Sequence, residues 1–345
     1  MRLLVIRLSA MGDVALTAPV VHSLLEKNPL LSITVLTNAF YTPFFNTCDR
    51  LHVYPADLKG KHKGISGIRK LSRELKQYEF DAVIDLHDVL RTKILRSFFK
   101  LSSTKVLCFN KGRSAKKALL SNKRAFQKLP HTTERYFEIF KQLGIQTGFS
   151  SNPWTKTSQS EILSNFKKTH ELKTHTSLIG IAPFAMHESK VWGQEKIENL
   201  IRQIQKEIGS TVLLFGGADE IPALNAIIKN NTSIILVAGK LGLVSELKLM
   251  TELDVMVSMD SSNMHLMCIL GKKVVSIWGG THHYLGFGPI GNENLIVEIP
   301  RKEMPCRPST IYGKTKNEKQ LICAKSAMSR ITVEMVFAKI KQSVS

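Results

Sequence analysis

Short apolar runs alternate with amphipathic stretches along the whole chain. In the first half, apolar and β-branched runs that fit strands occupy 3–9, 32–38, 52–55, 81–87 and 105–110. Apolar residues at helical spacing mark stretches at 14–27, 66–77, 91–100 and 133–145. Strands that are apolar at nearly every position and are separated by helices are typical of parallel sheets covered on both faces.

The second half repeats this rhythm. Strand-like runs lie at 178–184, 211–217, 234–239, 255–260 and 273–279, and helical patterns at 194–208, 220–230, 244–252, 262–270 and 332–342. A polar stretch near 150–175 separates the halves, and a polar segment without clear strands fills 301–330. The pattern predicts an α/β protein with two Rossmann-like, doubly wound domains. The predicted domains are an N-terminal domain at 1–160 and a C-terminal domain at 175–325. A C-terminal helix is predicted at 326–345, and we consider that it packs back on the N-terminal domain.

Composition fits a globular protein. The chain has 345 residues, 43% of them hydrophobic, and no apolar run is long enough for a transmembrane helix. Arg7 and Asp13 interrupt the apolar region that a signal peptide would need. We therefore expect a cytoplasmic protein.

Charge is the strongest global signal. The formal net charge is +20, residues 1–150 carry 25 Lys/Arg against 11 Asp/Glu, and the stretch from Val89 to Thr133 has twelve basic residues and no acidic one. Such a field attracts nucleic acid, an anionic membrane face or a phosphorylated glycolipid, and a merely solvated basic surface is the alternative. We expect a contact with an anionic glycolipid or membrane surface, with Arg7, Arg91 and Arg96 as candidate residues. Nucleic acid is disfavoured because few aromatic residues interleave with these bases.

The five cysteines show no zinc-binding spacing. Free thiols are therefore expected, although Cys306 and Cys323 share the polar C-terminal segment and could pair or bind a metal.

Two loops of the second half carry candidate ligand-binding groups. A strand ends at Asp260 and a helix follows, so that Ser261, Ser262 and His265 lie near backbone N–H groups that suit a phosphate. Ordinary helix capping is the alternative explanation for the serines. The second loop follows the strand-like run at 178–184 and contains Lys190 and Trp192. Lys190 could neutralise a diphosphate and Trp192 could form a rigid wall beside it. The alternative is that Lys190 is an ordinary surface lysine.

The first strand is followed by a loop with a single glycine, Gly12, and an acid, Asp13. A carboxylate is a poor host for phosphate, but it can act as a general base or cap a helix that begins at Val14. No G-x-G-x-x-G stands between a predicted strand and a predicted helix, and no P-loop pattern is present. His282 and His283 lack a metal-binding spacing, and no Asp-x-Asp pair occurs. The sequence therefore gives no sign of a cofactor or metal.

Three segments resemble the heptosyltransferases of glycosyltransferase family nine: RLSAMGDVALTAPVV, SKVW and SMDSSNMHLMCILGKKVVSIWGGT. Weaker similarities cover 85–96, 131–145 and 239–250, so the resemblance extends from residue 1 to about 290 in the family's order. It implies the GT-B arrangement of two Rossmann-like domains, with the acceptor on the N-terminal domain and the nucleotide-sugar on the C-terminal one. It also implies a metal-independent reaction that inverts the anomeric carbon.

The resemblance assigns roles by position. Asp13 matches the family's general base, Lys190 a basic residue near the donor diphosphate, and four further residues match the donor motif: Asp260, Ser261, Met264 and His265. The sequence departs from the family where Ser262-Asn263 replaces Gly-Pro, and where Gly280 precedes Thr281 in place of proline. These changes fall in the expected donor pocket.

Together these observations predict a transferase that moves a heptose from ADP-heptose to a lipopolysaccharide core or lipid A-type acceptor. A transferase of the same fold with another nucleotide-sugar and acceptor is the first alternative, and a basic nucleic-acid-binding protein is the second.

Overall fold

The computed structural model describes residues 1–45, 48–101, 104–121, 125–150, 166, 168–169, 177–229, 231 and 233–344. The chain forms two compact units. The first contains Met1–Gly112 and Pro130–Pro153, and the second contains Arg113–Leu129 and Trp154–Ser345. No helix among the described residues is long and apolar enough to cross a bilayer.

The first unit is built on a parallel five-stranded sheet of order β3-β2-β1-β4-β5. Its strands are β1 Arg2–Ile6, β2 Ser32–Asn38, β3 Leu51–Ala56, β4 Ala82–Asp85 and β5 Lys105–Cys108. The helices that follow β1, β3 and β4 are α1 Met11–Lys27, α2 Gly64–Lys76 and α3 Leu90–Lys100. The central strand is buried on both faces, with residues 3–6 fully inaccessible.

Helix α4 Arg113–Leu120 belongs to the second unit, and the chain then returns to the first unit with α5 Thr132–Lys141. Neither α4 nor this excursion is evident in the apolar pattern of the sequence.

The second unit has a parallel six-stranded sheet of order β11-β10-β9-β6-β7-β8. Its strands are β6 Leu178–Ala182, β7 Thr211–Leu214, β8 Ile234–Leu236, β9 Val255–Met259, β10 Val274–Trp278 and β11 Ile296–Glu298. Its remaining helices are α6 Gln194–Glu207, α7 Ile221–Ile228, α8 Leu243–Met250, α9 Ser262–Ile269, α10 Glu318–Arg330 and α11 Val333–Val344.

The strand orders fix where each unit can bind a ligand. In the first sheet the chain order reverses between β1 and β4, and in the second between β6 and β9. Such a switch point opens a crevice at the carboxyl ends of the strands, because the flanking connections leave on opposite faces.

The end of the chain differs from the sequence prediction. Residue 326 lies inside α10, and Val336, Phe337 and Ile340 of α11 are buried in the core of the second unit with Met328. These residues therefore belong to the core of the second unit, and packing of 326–345 on the N-terminal domain stays a prediction. Helix α10 lies in the segment described above as polar and without clear strands.

Cys306 and Cys323 form a disulfide, so the expectation of free thiols is wrong for these two positions. The bond attaches the segment before Arg307 to α10. Among the described residues, Cys48, Cys108 and Cys268 are free.

Arg307 fixes the loop that follows β10. Its guanidinium is fully buried and donates to the carbonyl oxygens of Gly279 at 2.7 Å, Trp278 at 3.0 Å and Thr281 at 3.1 Å. It also pairs with Glu298 at 3.1 Å. A buried cation costs free energy unless it is fully paired, and here carbonyls and a carboxylate supply the partners.

His282, next in this loop, is kept neutral. Its Nδ1 accepts a hydrogen bond from the backbone N–H of Tyr284, so the proton of the neutral ring is on Nε2, which faces Glu298 at 3.5 Å. Burial, the largest influence, lowers the pKa of His282 to about 3. Burial opposes ionisation of Glu298, but His283, His282 and Arg307 outweigh it and hold the pKa of Glu298 at about 2.

We predict that replacing both disulfide cysteines with serine lowers the free energy of unfolding by about 2–4 kcal/mol, because the unfolded chain loses a cross-link. Urea denaturation with and without dithiothreitol measures this effect. Reductant should destabilise the wild type and leave Cys306→Ser/Cys323→Ser unchanged, and Cys48→Ser, at an exposed free cysteine, serves as the control. Equal stability of wild type and double variant would contradict the prediction.

We predict that His282→Asn flattens the acid side of the stability profile. Between pH 6.5 and 5 the unfolded histidine binds a proton that the folded one does not, so the wild type loses stability as pH falls, by up to about 1.4 kcal/mol per pH unit from this group. Asparagine can keep the hydrogen bond from Tyr284, as Asn38 does for Phe40. Urea titrations at pH 7, 6 and 5 test this, with His52→Asn at an exposed site as control. Parallel profiles for wild type and His282→Asn would refute it.

Candidate active site

At the switch point of the first unit, Arg7 joins the loop after β1 to the end of β4. The side chain is 5% exposed, and its two terminal nitrogens donate to the Leu86 carbonyl at 2.5 Å and to Asp13 Oδ2. Arg7 was expected to face an acceptor or an anionic surface. The structure instead places it beneath the loop, as the partner of Asp13.

Asp13 lies in the first turn of α1, which begins at Met11 and not at Val14. The N-cap residue is Ala10, and no side chain caps the helix, so the explanation of Asp13 as an N-cap is wrong. Oδ2 is held by Arg7, and Oδ1 has no hydrogen-bond partner among the residues that the structure describes. The carboxylate is one-third exposed, so it is both fixed and accessible.

His87, which the sequence analysis did not single out, lies on the other side of this switch point. Its Nε2 is 3.4 Å from Ser9 Oγ, and Nδ1 is buried without a hydrogen-bond partner among the described residues. Burial, followed by the positive charge of Arg7, lowers the pKa of His87 to about 3. The imidazole is therefore neutral at pH 7. The sequence feature that could have identified His87 is its position two residues after a strand that ends in Asp85. We call Arg7, Ser9, Asp13 and His87 the β1–β4 cluster.

The two further arginine candidates differ from each other. Arg96 is largely buried and pairs with Asp85 at 3.3 Å and Asp88 at 3.3 Å, so it fixes the loop after β4 and is not a free acceptor-binding group. Arg91, one residue after the start of α3, is exposed.

At the switch point of the second unit, Lys190 and Asp260 form an ion pair. Lys190 Nζ lies 2.7 Å from Asp260 Oδ2 and also donates to the Asp260 carbonyl at 3.2 Å. Thr281 Oγ1 donates to the same Oδ2 at 2.7 Å. Loops after β6, β9 and β10 thus converge on one carboxylate, and we call these three residues the β6–β9 cluster.

The start of α9 adjoins this cluster. Ser261 is the N-cap residue but makes no capping hydrogen bond; its hydroxyl lies 3.2 Å from Ser258 Oγ. Capping therefore does not explain Ser261. Ser262 is partly exposed at the first position, whereas Met264 and His265 are buried. The first-turn N–H groups of α9 thus lack a side-chain cap and point toward the carboxyl end of the sheet.

Trp192 does not form a wall of this site. It is 3% exposed, its indole N–H donates to the Ile331 carbonyl at 3.0 Å, and it packs in the core of the second unit. The glycines after β10 also have a packing role, because a Cβ on Gly280 would lie 2.7 Å from that of Ala324 in α10.

Within the part of the chain that the structure describes, two groups of side chains have the composition of a metal site, His282/His283/Glu298 and Asp85/Asp88/Cys108. Neither fits a cation. Arg307 lies on Glu298, and His282 turns a protonated Nε2 toward it. Arg96 pairs with both aspartates of the other group.

Comparison with known proteins identifies the family. A model of glycosyltransferase family 9 (heptosyltransferase) matches residues 68–316. The lipopolysaccharide core heptosyltransferase OpsX of Haemophilus influenzae is 23% identical over 357 residues, which cover 99% of this chain and 96% of that protein, so the similarity includes the loop with Asp13.

Two solved structures share the fold. A glycosyltransferase family 9 protein from Veillonella parvula superposes with a TM-score of 0.76 at 20% identity over 99% of this chain and 97% of its own. The ADP-heptose lps heptosyltransferase II of E. coli gives a TM-score of 0.70 at 18% identity over 100% and 98%. The predicted GT-B fold of two Rossmann-like domains is confirmed. Since the family model matches most of the chain, this protein belongs to glycosyltransferase family 9, the heptosyltransferases, and is a glycosyltransferase.

Proposed function

We propose that this protein transfers heptose from ADP-heptose to a lipopolysaccharide core or lipid A-type acceptor, in one inverting displacement without a metal. The observation that carries the proposal is the state of Asp13: one oxygen is bound to a buried arginine and the other is open, at a sheet switch point of a family 9 glycosyltransferase. OpsX, by its name, acts on the lipopolysaccharide core.

Asp13 is the base of the proposed reaction. An inverting transfer needs one group to take the proton of the attacking hydroxyl while the donor diphosphate leaves from the opposite side. Oδ1 can accept that proton because it has no competing hydrogen bond within the described residues. Arg7 holds Oδ2, which limits rotation of the carboxylate and directs Oδ1 outward.

Neutral His87 supports acceptor binding in this scheme. An uncharged imidazole beside Ser9 can form a hydrogen bond to a sugar hydroxyl through Nε2, and it does not compete with Asp13 for the proton at pH 7. Exposed Arg91 is then the remaining arginine candidate for an acceptor phosphate.

The β6–β9 cluster binds the donor in this proposal. A departing diphosphate needs positive potential, which a lysine and uncapped N–H groups at a helix start can supply without a metal. Lys190 and the first turn of α9 offer these groups side by side. Asp260, held by Thr281, positions the ammonium group of Lys190.

Another nucleotide-sugar remains the main alternative because Ser262-Asn263 replaces the family's Gly-Pro in this turn. Thermal shift with a panel of nucleotide-sugars separates the two, since a ligand that binds only the folded state raises the melting temperature. Stabilisation by ADP-heptose above UDP- and GDP-sugars supports the proposal, and preference for another nucleotide overturns the donor assignment.

We predict that Asp13→Asn lowers kcat about 10²- to 10⁴-fold, the usual contribution of a general base, and leaves ADP affinity unchanged. Release of ADP in the presence of acceptor measures kcat, and calorimetry measures binding. Asp57→Asn, at an exposed carboxylate of the same unit that accepts hydrogen bonds from backbone N–H groups, should retain wild-type turnover. Near-normal turnover of Asp13→Asn would exclude the base role.

We predict that Lys190→Ala weakens ADP binding and lowers kcat together, each about 10- to 100-fold, because it removes charged hydrogen bonds that hold the diphosphate in the ground state and strengthen as the leaving group gains charge in the transition state. Lys229→Ala, at an exposed lysine of the same unit, is the matched control. Unchanged ADP affinity in Lys190→Ala would place the lysine outside the donor site.

A further inference from the structure

The carboxyl edge of the first sheet carries apolar side chains that project into solvent. Phe40, Ile65 and Leu90 are 56%, 68% and 75% exposed. Phe40 follows β2, Ile65 is the second residue of α2, and Leu90 is the first residue of α3. Since carboxyl ends of parallel strands share one edge, all three lie on the edge that holds Asp13. We call this surface the rim.

Exposed basic residues flank Ile65 and Leu90 in the sequence. Lys59, Lys61 and Lys63 are exposed in the connection before Ile65, and Arg91 and Lys93 lie within three residues after Leu90. In the described connections 57–65 and 86–93, Asp57 is the one exposed acid, and it accepts backbone hydrogen bonds from Gly60 and Lys61 at 2.8 and 3.0 Å. The rim is therefore cationic and apolar at once.

The amino edge of the same sheet provides an internal comparison. Leu30 and Leu101 there are 91% and 84% exposed, so apolar exposure alone does not distinguish the two edges. Charge does, because the exposed bases and acids at the amino edge are nearly balanced. They are Arg2, Arg73, Lys76, Lys100 and Lys105 against Glu26, Asp49, Glu79 and Asp81.

We propose that the rim docks on an anionic bilayer surface, with Phe40, Ile65 and Leu90 at the depth of the headgroups and the bases against lipid phosphates. Aliphatic side chains add nothing to the binding of a soluble phosphate, whereas apolar residues flanked by bases are the composition of an interfacial membrane contact. Docking in this way turns the Asp13 edge toward the membrane, where a lipid-linked acceptor of the proposed function resides. The reason given for docking rests on the proposed function, whereas the contact between the rim and the bilayer does not depend on catalysis.

The test is co-sedimentation of the full chain with vesicles of phosphatidylcholine containing phosphatidylglycerol, and with vesicles of pure phosphatidylcholine. Wild type should partition to the anionic vesicles and be released by salt. Ile65→Ser/Leu90→Ser should lower the partition coefficient about tenfold or more, because two aliphatic groups no longer enter the interface. Leu30→Ser/Leu101→Ser removes equally exposed side chains from the amino edge and should stay within twofold of wild type.

A second measurement separates membrane docking from acceptor recognition. Ile65→Ser/Leu90→Ser should turn over a deacylated, water-soluble acceptor at the wild-type rate and a vesicle-embedded acceptor more slowly. The proposal is overturned if the two double variants lose vesicle binding equally, if neither of them loses it, or if the wild type binds both vesicle types equally. Loss on the soluble acceptor also overturns it, because the rim would then be part of the acceptor site. If no acceptor is turned over, the proposed function fails while the partition data still decide the docking surface.

Discussion

Two buried guanidinium groups hold the loops on which the chemistry of this protein depends. Arg7 links the loop after β1 to the end of β4 and fixes one oxygen of Asp13. Arg307 donates hydrogen bonds to three carbonyl oxygens at the end of β10 and in the loop that follows it, and Thr281 of this loop reaches Asp260. A buried arginine must find partners for its charge and its N–H groups, so each loop is held in the one arrangement that supplies them. Because loops are otherwise the mobile part of an α/β domain, this pairing converts connecting segments into rigid supports.

The parallel sheets explain why the loops held by Arg7 and Arg307 lie at the carboxyl ends of the strands. Strands of nearly uninterrupted apolar sequence, such as residues 3–6, can only be central and parallel, and parallel strands bring their following loops to one edge. This much was predictable: every strand except β11, the two-sheet architecture and the location of Asp13, Lys190 and Asp260 after strands all follow from the alternation of apolar runs and helices. The assignment of a role to Asp13 came from resemblance to a family, because a lone carboxylate after a strand has several ordinary explanations.

What the sequence did not reveal depends on contacts between distant residues. The sequence around Trp192 looks the same whether the indole faces a ligand or the core. In the structure its indole N–H donates to a carbonyl 139 positions away in the chain. Arg96 could not be distinguished from Arg91, since only the fold brings Asp85 and Asp88 to one of them. The segment 301–330 has no strand-like apolar run, and contacts of Arg307 and the disulfide contribute to its order.

Charge illustrates the same limit. The acid-free stretch from Val89 to Thr133 suggests one basic surface in the sequence, but in the structure its residues belong to two different units. Residues from Arg113 onward in this stretch belong to the second unit until Leu129, and Lys116 is buried with its ammonium 3.9 Å from the centre of the Phe287 ring. Helix α3 contributes exposed bases at its start, whereas Arg96 farther along is neutralised by paired carboxylates. Net charge therefore predicts attraction to an anionic partner, but the position of a contact depends on which exposed bases lie beside exposed apolar groups. On the first unit, Lys59, Lys63 and Arg91 meet that condition at the carboxyl edge of the sheet, the edge at which Asp13 is held.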